Sequence, residues 1–240
     1  MGENYFLVDG HAHLNELSGL SGSLQEARAA GVRGIVGVGM DIESNKKIVQ
    51  IARANNQFVY PALGYHPWVI KEEEMEANLS FVRDHAKEGV ALGEIGLDYK
   101  IKVKKELQWK VFGELLDIAL ESDKPVIVHC RYSHRRAFDM VRERRMKRAV
   151  FHWYSGPLRL LDEILEAGYF ISYARKPQAF KPGDEWHPFE AKPVETWRSG
   201  VISDMIWLWP DIRLGLIRNT ACSTTWCGYR NIVGEYCEVK

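Results

Sequence analysis

Tyr5-Phe6-Leu7-Val8-Asp9-Gly10-His11-Ala12-His13 is the stretch on which the fold turns. Tyr5 to Val8 is an apolar run that reads as a short buried strand. Asp9, His11 and His13 follow at once. Side chains alternate along an extended segment, so His11 and His13 point the same way. Two imidazoles so placed can hold one metal ion, and the small Gly10 and Ala12 leave room for it. A pair of turn histidines is the alternative, since a short motif also matches by chance. The rest of the chain weighs against that alternative.

Outward from this stretch, strand and helix alternate. A helix spans Leu24 to Ala30, closed by Gly31, and Val32 to Val38 is a β-branched strand. Ser44 caps a helix running to about Asn55. Phe58 to Leu63 is a third strand, with Gly64-Tyr65-His66-Pro67 at its end. A helix over Leu79 to Glu88 leads to a strand at Val90 to Leu92, followed by Gly93-Glu94-Ile95-Gly96-Leu97-Asp98. Lys104 to Glu121 has helical periodicity. Pro125 to Val128 is a strand ending in His129-Cys130-Arg131, Arg135 to Arg145 a helix, and Arg148 to Phe151 a strand ending in His152. Leu158 to Ala167 is a helix, and Tyr169 to Ser172 the seventh strand.

This alternation implies parallel strands joined by right-handed crossovers. Asp9, His11, His13, His66, Glu94, His129 and His152 each follow the C-terminal end of an apolar strand. In a closed (β/α)8 barrel those ends converge on one mouth. A doubly wound sheet also gathers ligands at strand ends, but over fewer strands. The fold class expected is therefore α/β, a TIM-type barrel.

The 240 residues, 46% hydrophobic, suffice for one domain over 1–240 with a substantial core. Lys plus Arg and Asp plus Glu are 32 each, so the net charge is zero and a general basic coat is excluded. Cys130, Cys222, Cys227 and Cys237 have no disulfide-framework spacing. No signal peptide or membrane-length apolar run is seen, which points to a soluble, cytoplasmic protein.

Imidazole and carboxylate are ordinary ligands of zinc, manganese and related divalent ions. His11 and His13 suit one ion, His129 and His152 a second, and Glu94 can bridge them. Two such ions clamp the attacking and leaving oxygens of a phosphoryl displacement and lower the pKa of a water. Core histidines are the alternative for His129 and His152 taken singly. Asp9 suits orientation of a ligand histidine, or capping of the turn.

Asp9-Gly-His11-Ala-His13, Gly64-Tyr-His66-Pro67, Gly93-Glu94-Ile-Gly-Leu-Asp98, His129-Cys-Arg131 and Phe-His152-Trp-Tyr-Ser-Gly156 resemble the successive motifs of the TatD family. Those proteins are metal-dependent deoxyribonucleases of the amidohydrolase superfamily, with a TIM-barrel fold. The resemblance runs from about residue 5 to about residue 173. It implies two divalent ions (Zn, Mn or Mg), with His11 and His13 on one, His129 and His152 on the other, and Glu94 bridging. It also places His66 at the substrate phosphate; Arg131 suits that role or a surface ion pair.

From about residue 174 to 240 the pattern departs from the family. The family's Glu-Thr-Asp motif, whose Asp binds metal, is missing. Asp204 in Val201-Ile202-Ser203-Asp204 is the nearest replacement, with a loop aspartate as the alternative. Trp186, Trp197, Trp207, Trp209 and Trp226 crowd this third and helical periodicity fades. A reading-frame shift near residue 174 accounts for that break, and it leaves closure by the last strand and helix open. Translating the other frames tests it: no Glu-Thr-Asp there counts against it. The function expected is hydrolysis of DNA phosphodiesters, single-stranded or end-directed, as an exonuclease. Its alternatives are hydrolysis of a small-molecule C–N or ester bond, and an impaired barrel that turns nothing over.

Overall fold

The computed structural model describes residues 7–173 and 201–203. The strands are β1 (Leu7–Ala12), β2 (Val32–Val38), β3 (Val59–Leu63), β4 (Ala91–Asp98), β5 (Val126–Arg131), β6 (Ala149–His152), β7 (Phe170–Tyr173) and β8 (Val201–Ser203). The helices are α1 (Leu20–Ala29), α2 (Ile42–Ala54), α3 (Met75–His85), α4 (Lys105–Glu121), α5 (His134–Glu143) and α6 (Leu158–Glu166). Every neighbouring pair of strands is parallel, and the sheet runs β1 to β8 in chain order. This is the curled parallel α/β sheet of a TIM-type barrel. The described pairings link β7 to β8 and stop there, so closure onto β1 stays open.

The two faces of the sheet have separate cores. Val36 and Val38 of β2 pack with Ala62, Ala91, Ile127 and Val150, all of them strand residues. Ile35, of opposite parity on the same strand, packs instead with Leu24 and Ala27 of α1 and Ile48 and Ala52 of α2. The first cluster is the barrel interior and the second the strand–helix interface. On the β4 side, Ile95 and Leu97 join Val111, Phe112 and Leu115 of α4 in the largest cluster.

A register shift lies between Leu92 and Ile95 where β4 pairs with β5. Before it, Ala91 faces the interior cluster; after it, Ile95 and Leu97 face the helices. Glu94 and Asp98, of opposite parity to that pair, are therefore aimed inward. A bulge that re-aims side chains beside a site is a known use of this irregularity. Two glycines allow the close packing around it. A Cβ on Gly64 would lie 2.5 Å from the Glu94 carbonyl oxygen, and one on Gly96, at φ +148°, would collide with the His129 carbonyl.

The element boundaries correct several expectations. β4 includes the whole Gly-Glu-Ile-Gly-Leu-Asp stretch, because its residues are buried on both faces and keep the ladder. α2 is capped by Asp41, not Ser44. Ser44 is at the third helical position and bonds back to the Asp41 backbone, completing a reciprocal capping box. α1 begins at Leu20, directly after Gly19 in the left-handed region, and α3 begins at Met75 and ends at His85. Among the described residues no helix is long and apolar enough to cross a membrane. Asp204, the five tryptophans from Trp186 on, and Cys222, Cys227 and Cys237 lie outside the described residues.

Candidate metal centre

Glu94, buried at 4% exposure, is the hub. Its Oε2 is 3.2 Å from His11 Nε2 and 3.8 Å from His13 Nε2. The other oxygen, Oε1, is 2.8 Å from His129 Nδ1 and 3.6 Å from His66 Nε2. One carboxylate thus faces four imidazoles, two on each oxygen. Ligand atoms of His11, His13 and Glu94 lie within 4.8 Å of one another, and so do those of His66, Glu94 and His129.

His13, His66 and His129 are each held at the second ring nitrogen as well. His13 Nδ1 lies 3.2 Å from the Val38 carbonyl of β2. A carbonyl only accepts, so Nδ1 carries the proton and the Nε2 lone pair is turned toward Glu94 and His11. His66 has the reverse tautomer. Its Nδ1 accepts the Trp68 backbone N–H at 3.1 Å, which leaves the proton on Nε2. His129 lies between two carboxylates, with Nε2 3.3 Å from Asp98 Oδ2. Asp9 accepts the backbone N–H of His11 at 3.0 Å, inside β1 and at the register shift between Asp9 and Ala12.

Electrostatics follow from burial and these contacts. Burial alone would raise the Glu94 pKa, but the electrostatic influence of the His66 and His11 rings and hydrogen bonds from His11 and His129 hold it well below the usual range. Asp98 likewise drops to about 2, since bonds from His129, Trp68 and the Lys100 backbone outweigh its burial. Desolvation would lower His129, yet bonding to Asp98 and Glu94 lifts it to about 9. His13, His66 and His152 are all pushed down, chiefly by burial, and stay neutral. Neutral imidazole is the form that ligates a metal.

The structure gathers His11, His13, Glu94, His66 and His129 on one rim at the strand ends. His152 lies beside His129 in the register of β5 and β6. Its ring stacks on His11 at 3.7 Å and 4°, and its Nδ1 is 3.1 Å from Ser172 Oγ. His66, not His152, completes the second group around Glu94. The reason is local: His66, three residues beyond β3, is the N-cap of a short 3₁₀ turn, Pro67–Val69, and its ring is buried at 1% exposure. Arg131 is exposed at the end of β5. Two participants had no assigned role in the sequence. Asp98 holds His129, and the Trp68 indole Nε1–H donates to Asp98 Oδ2 at 2.6 Å. The spacing of Asp98 four residues beyond Glu94, on the same face of one strand, was the available signal for Asp98. For Trp68 there was none beyond its place next to His66-Pro67.

A parallel α/β barrel with clustered imidazoles and a buried glutamate on its C-terminal rim defines a metal-dependent hydrolase class. The family model described as TatD related DNase matches residues 8–180, and the chain belongs to that family. An uncharacterized metal-dependent hydrolase of Methanocaldococcus jannaschii is 30% identical over 170 residues, covering 69% of this chain and 66% of the relative. The 3'-5' ssDNA/RNA exonuclease TatD of Erwinia tasmaniensis is 30% identical over 152 residues, covering 62% of this chain and 59% of its own length. A third or more of each relative thus lies outside the match. The crystal structure of YjjV, a TatD homologue of Escherichia coli, superposes with a TM-score of 0.70 at 26% identity, covering 96% of this chain and 89% of that one. The family match ends at residue 180, close to residue 174, where the motifs stop.

Proposed function

We propose that this protein hydrolyses phosphodiester bonds of DNA, acting on single strands or ends, with two divalent ions held around Glu94. One observation carries the reading: the two oxygens of Glu94 face separate pairs of imidazoles. That division is what a carboxylate bridging two cations requires. The donor set also fits the chemistry: His13 and His152 are neutral imidazoles, Glu94 is an ionised carboxylate, and His129 joins them by giving up its proton.

His11, His13 and Glu94 would hold the first ion. Glu94 and His129 would hold the second, with His152 and Asp204 as its further ligands. When bound, the ions supply Lewis-acid polarisation of the phosphoryl group and lower the pKa of a water. His66 acts as a donor in this scheme. Its Nε2–H lies 3.6 Å from Glu94 Oε1, too long for a good hydrogen bond, and is available to a phosphate oxygen. Arg131, exposed on the same rim, adds a cation toward the phosphate. Asp98 keeps the His129 ring oriented.

The name of the Erwinia relative supports a single-stranded substrate. Zero net charge suits a mechanism in which ions, not a basic coat, hold the scissile phosphate. The test is an end-labelled single-stranded oligonucleotide incubated with purified protein, with and without Mn²⁺, Mg²⁺ or Zn²⁺. Shortened products that need an added ion, and vanish in Glu94→Ala, are expected. An intact oligonucleotide under every ion overturns the reading. In the same assay Asp204→Ala should slow hydrolysis; an unchanged rate removes Asp204 from the ligand set.

A further inference from the structure

We propose that Trp68, Tyr132 and Trp153 form a base-stacking rim around the metal centre, which takes the unpaired nucleobases of single-stranded DNA. The inference rests on the nuclease reading for the phosphate, and adds the part of the protein that recognises bases.

Three observations point to it. Among the described residues Tyr132, Trp68 and Trp153 are the most exposed large hydrophobic side chains, at 70%, 53% and 44%. Apolar rings so exposed ordinarily mark a binding surface when they cluster. These do cluster by topology: Trp68 follows the end of β3, Tyr132 directly follows β5, and Trp153 directly follows β6. All three strands run parallel, so these residues share the rim that carries Glu94 and its imidazoles.

Backbone conformation is the second observation. Tyr132 has φ +55° and Trp153 φ +45°, in the left-handed region that bulky residues seldom adopt. Strain of this kind persists where a special placement is held by the surroundings. At Trp153 the holding contact is visible, because its backbone N–H donates to Ser172 Oγ at 2.9 Å.

Trp68 supplies the third. Its indole is anchored through Nε1 to Asp98, and it meets His66 at 4.8 Å and His129 at 5.6 Å edge-on. The ring is rigid, partly open to solvent, and adjacent to the centre that would hold the phosphate. A base stacked there costs little ordering of the protein. Aromatic faces accept every base and ignore sequence, whereas the bases of a duplex are already stacked. For a chain of zero net charge, stacking also provides affinity that salt does not screen.

The experiment is fluorescence anisotropy with the full-length, metal-free protein. The probes are a labelled oligodeoxythymidylate, an abasic strand of equal length, and a duplex. Stacking contributes about tenfold in affinity per base. With one base on each of the three rings, wild type should therefore prefer the thymidylate strand over the abasic strand by about 1,000-fold. Tyr132→Ala and Trp153→Ala should each reduce that ratio about tenfold, while Tyr132→Phe, Trp153→Phe and Trp68→Phe keep it within about threefold. Equal binding of the two strands, no binding of either, tighter binding of the duplex, or an unchanged ratio in the double alanine variant overturns the proposal. Hydrolysis is scored separately with added ion. A base preference without hydrolysis under any ion leaves the rim standing and removes the nuclease reading. Hydrolysis without base preference does the reverse.

Discussion

The two sides of Glu94 carry similar residues in opposite states. On the Oε2 side, His13 is fixed by the Val38 carbonyl with its lone pair turned inward, and burial keeps it neutral. That side is prepared for a cation. On the Oε1 side, His129 is gripped by Glu94 and Asp98 and holds its proton up to about pH 9. His66 there presents N–H rather than a lone pair. A second cation must therefore displace a proton from His129, whereas His13 on the first side is already neutral. The lesson is that residue type does not by itself assign a ligand; the partner on the far ring nitrogen does.

Removing the shared carboxylate breaks both sides together, and has the largest expected effect. Glu94→Gln should lower hydrolysis by more than about 100-fold, beyond the range of an outer contact, and elemental analysis should find both ions lost. His13→Ala and His129→Ala separate the sides. Each should lose one ion from two, and the pH dependence of binding should disappear only in His129→Ala. If either variant releases both ions, the two sides are not independent. Asp98→Asn is milder. It weakens the hold on His129 and should cost about 10–100-fold in affinity for the second ion, leaving the first unchanged in a calorimetric titration.

Much of this was legible in the sequence, for a physical reason. Parallel barrel strands are buried on both faces, so they appear as apolar runs, and the polar residues at their ends stand out against them. His11, His13, Glu94 and His129 were readable in that way. The place of His66 beside Glu94, and of His152 on His11, was not. It depends on the 3₁₀ turn after Pro67 and on the ring stacking of His152 on His11, which no spacing encodes. The inward aim of Glu94 also depends on a register shift inside β4 that periodicity misses. Asp41 was overlooked as the cap of α2 because Ser44 is itself a good capping residue. The last third is a separate matter: its motifs and periodicity stop together, and nothing local replaces them.

A smaller effect sharpens the contrast between histidines. His129 and His134 are five residues apart and shift in opposite directions. His134, buried beside Tyr154 without a carboxylate, falls to about 4, chiefly by desolvation. Its neutral form favours the fold, so its contribution is complete above about pH 6.5 and is lost as pH falls toward 4. His129 does the reverse: its contribution is complete below about pH 6.5 and is lost as pH rises through 9. Denaturant titrations of the metal-free protein should show the acid-side loss reduced in His134→Gln, by at most about 3 kcal/mol. The smallest change expected is Arg131→Ala, a few-fold rise in KM with kcat nearly constant, since the role proposed for this exposed cation is contact with the incoming phosphate alone. A fall in kcat instead would place Arg131 at the reacting atoms.

The central claim is that one glutamate is shared by two cations. Crystals soaked in Mn²⁺ and measured for anomalous scattering test it most directly. The account predicts two peaks roughly 3.5–4 Å apart, one against His11, His13 and Glu94 Oε2, the other against His129 and Glu94 Oε1. A single peak, or peaks that leave Glu94 untouched, would contradict it.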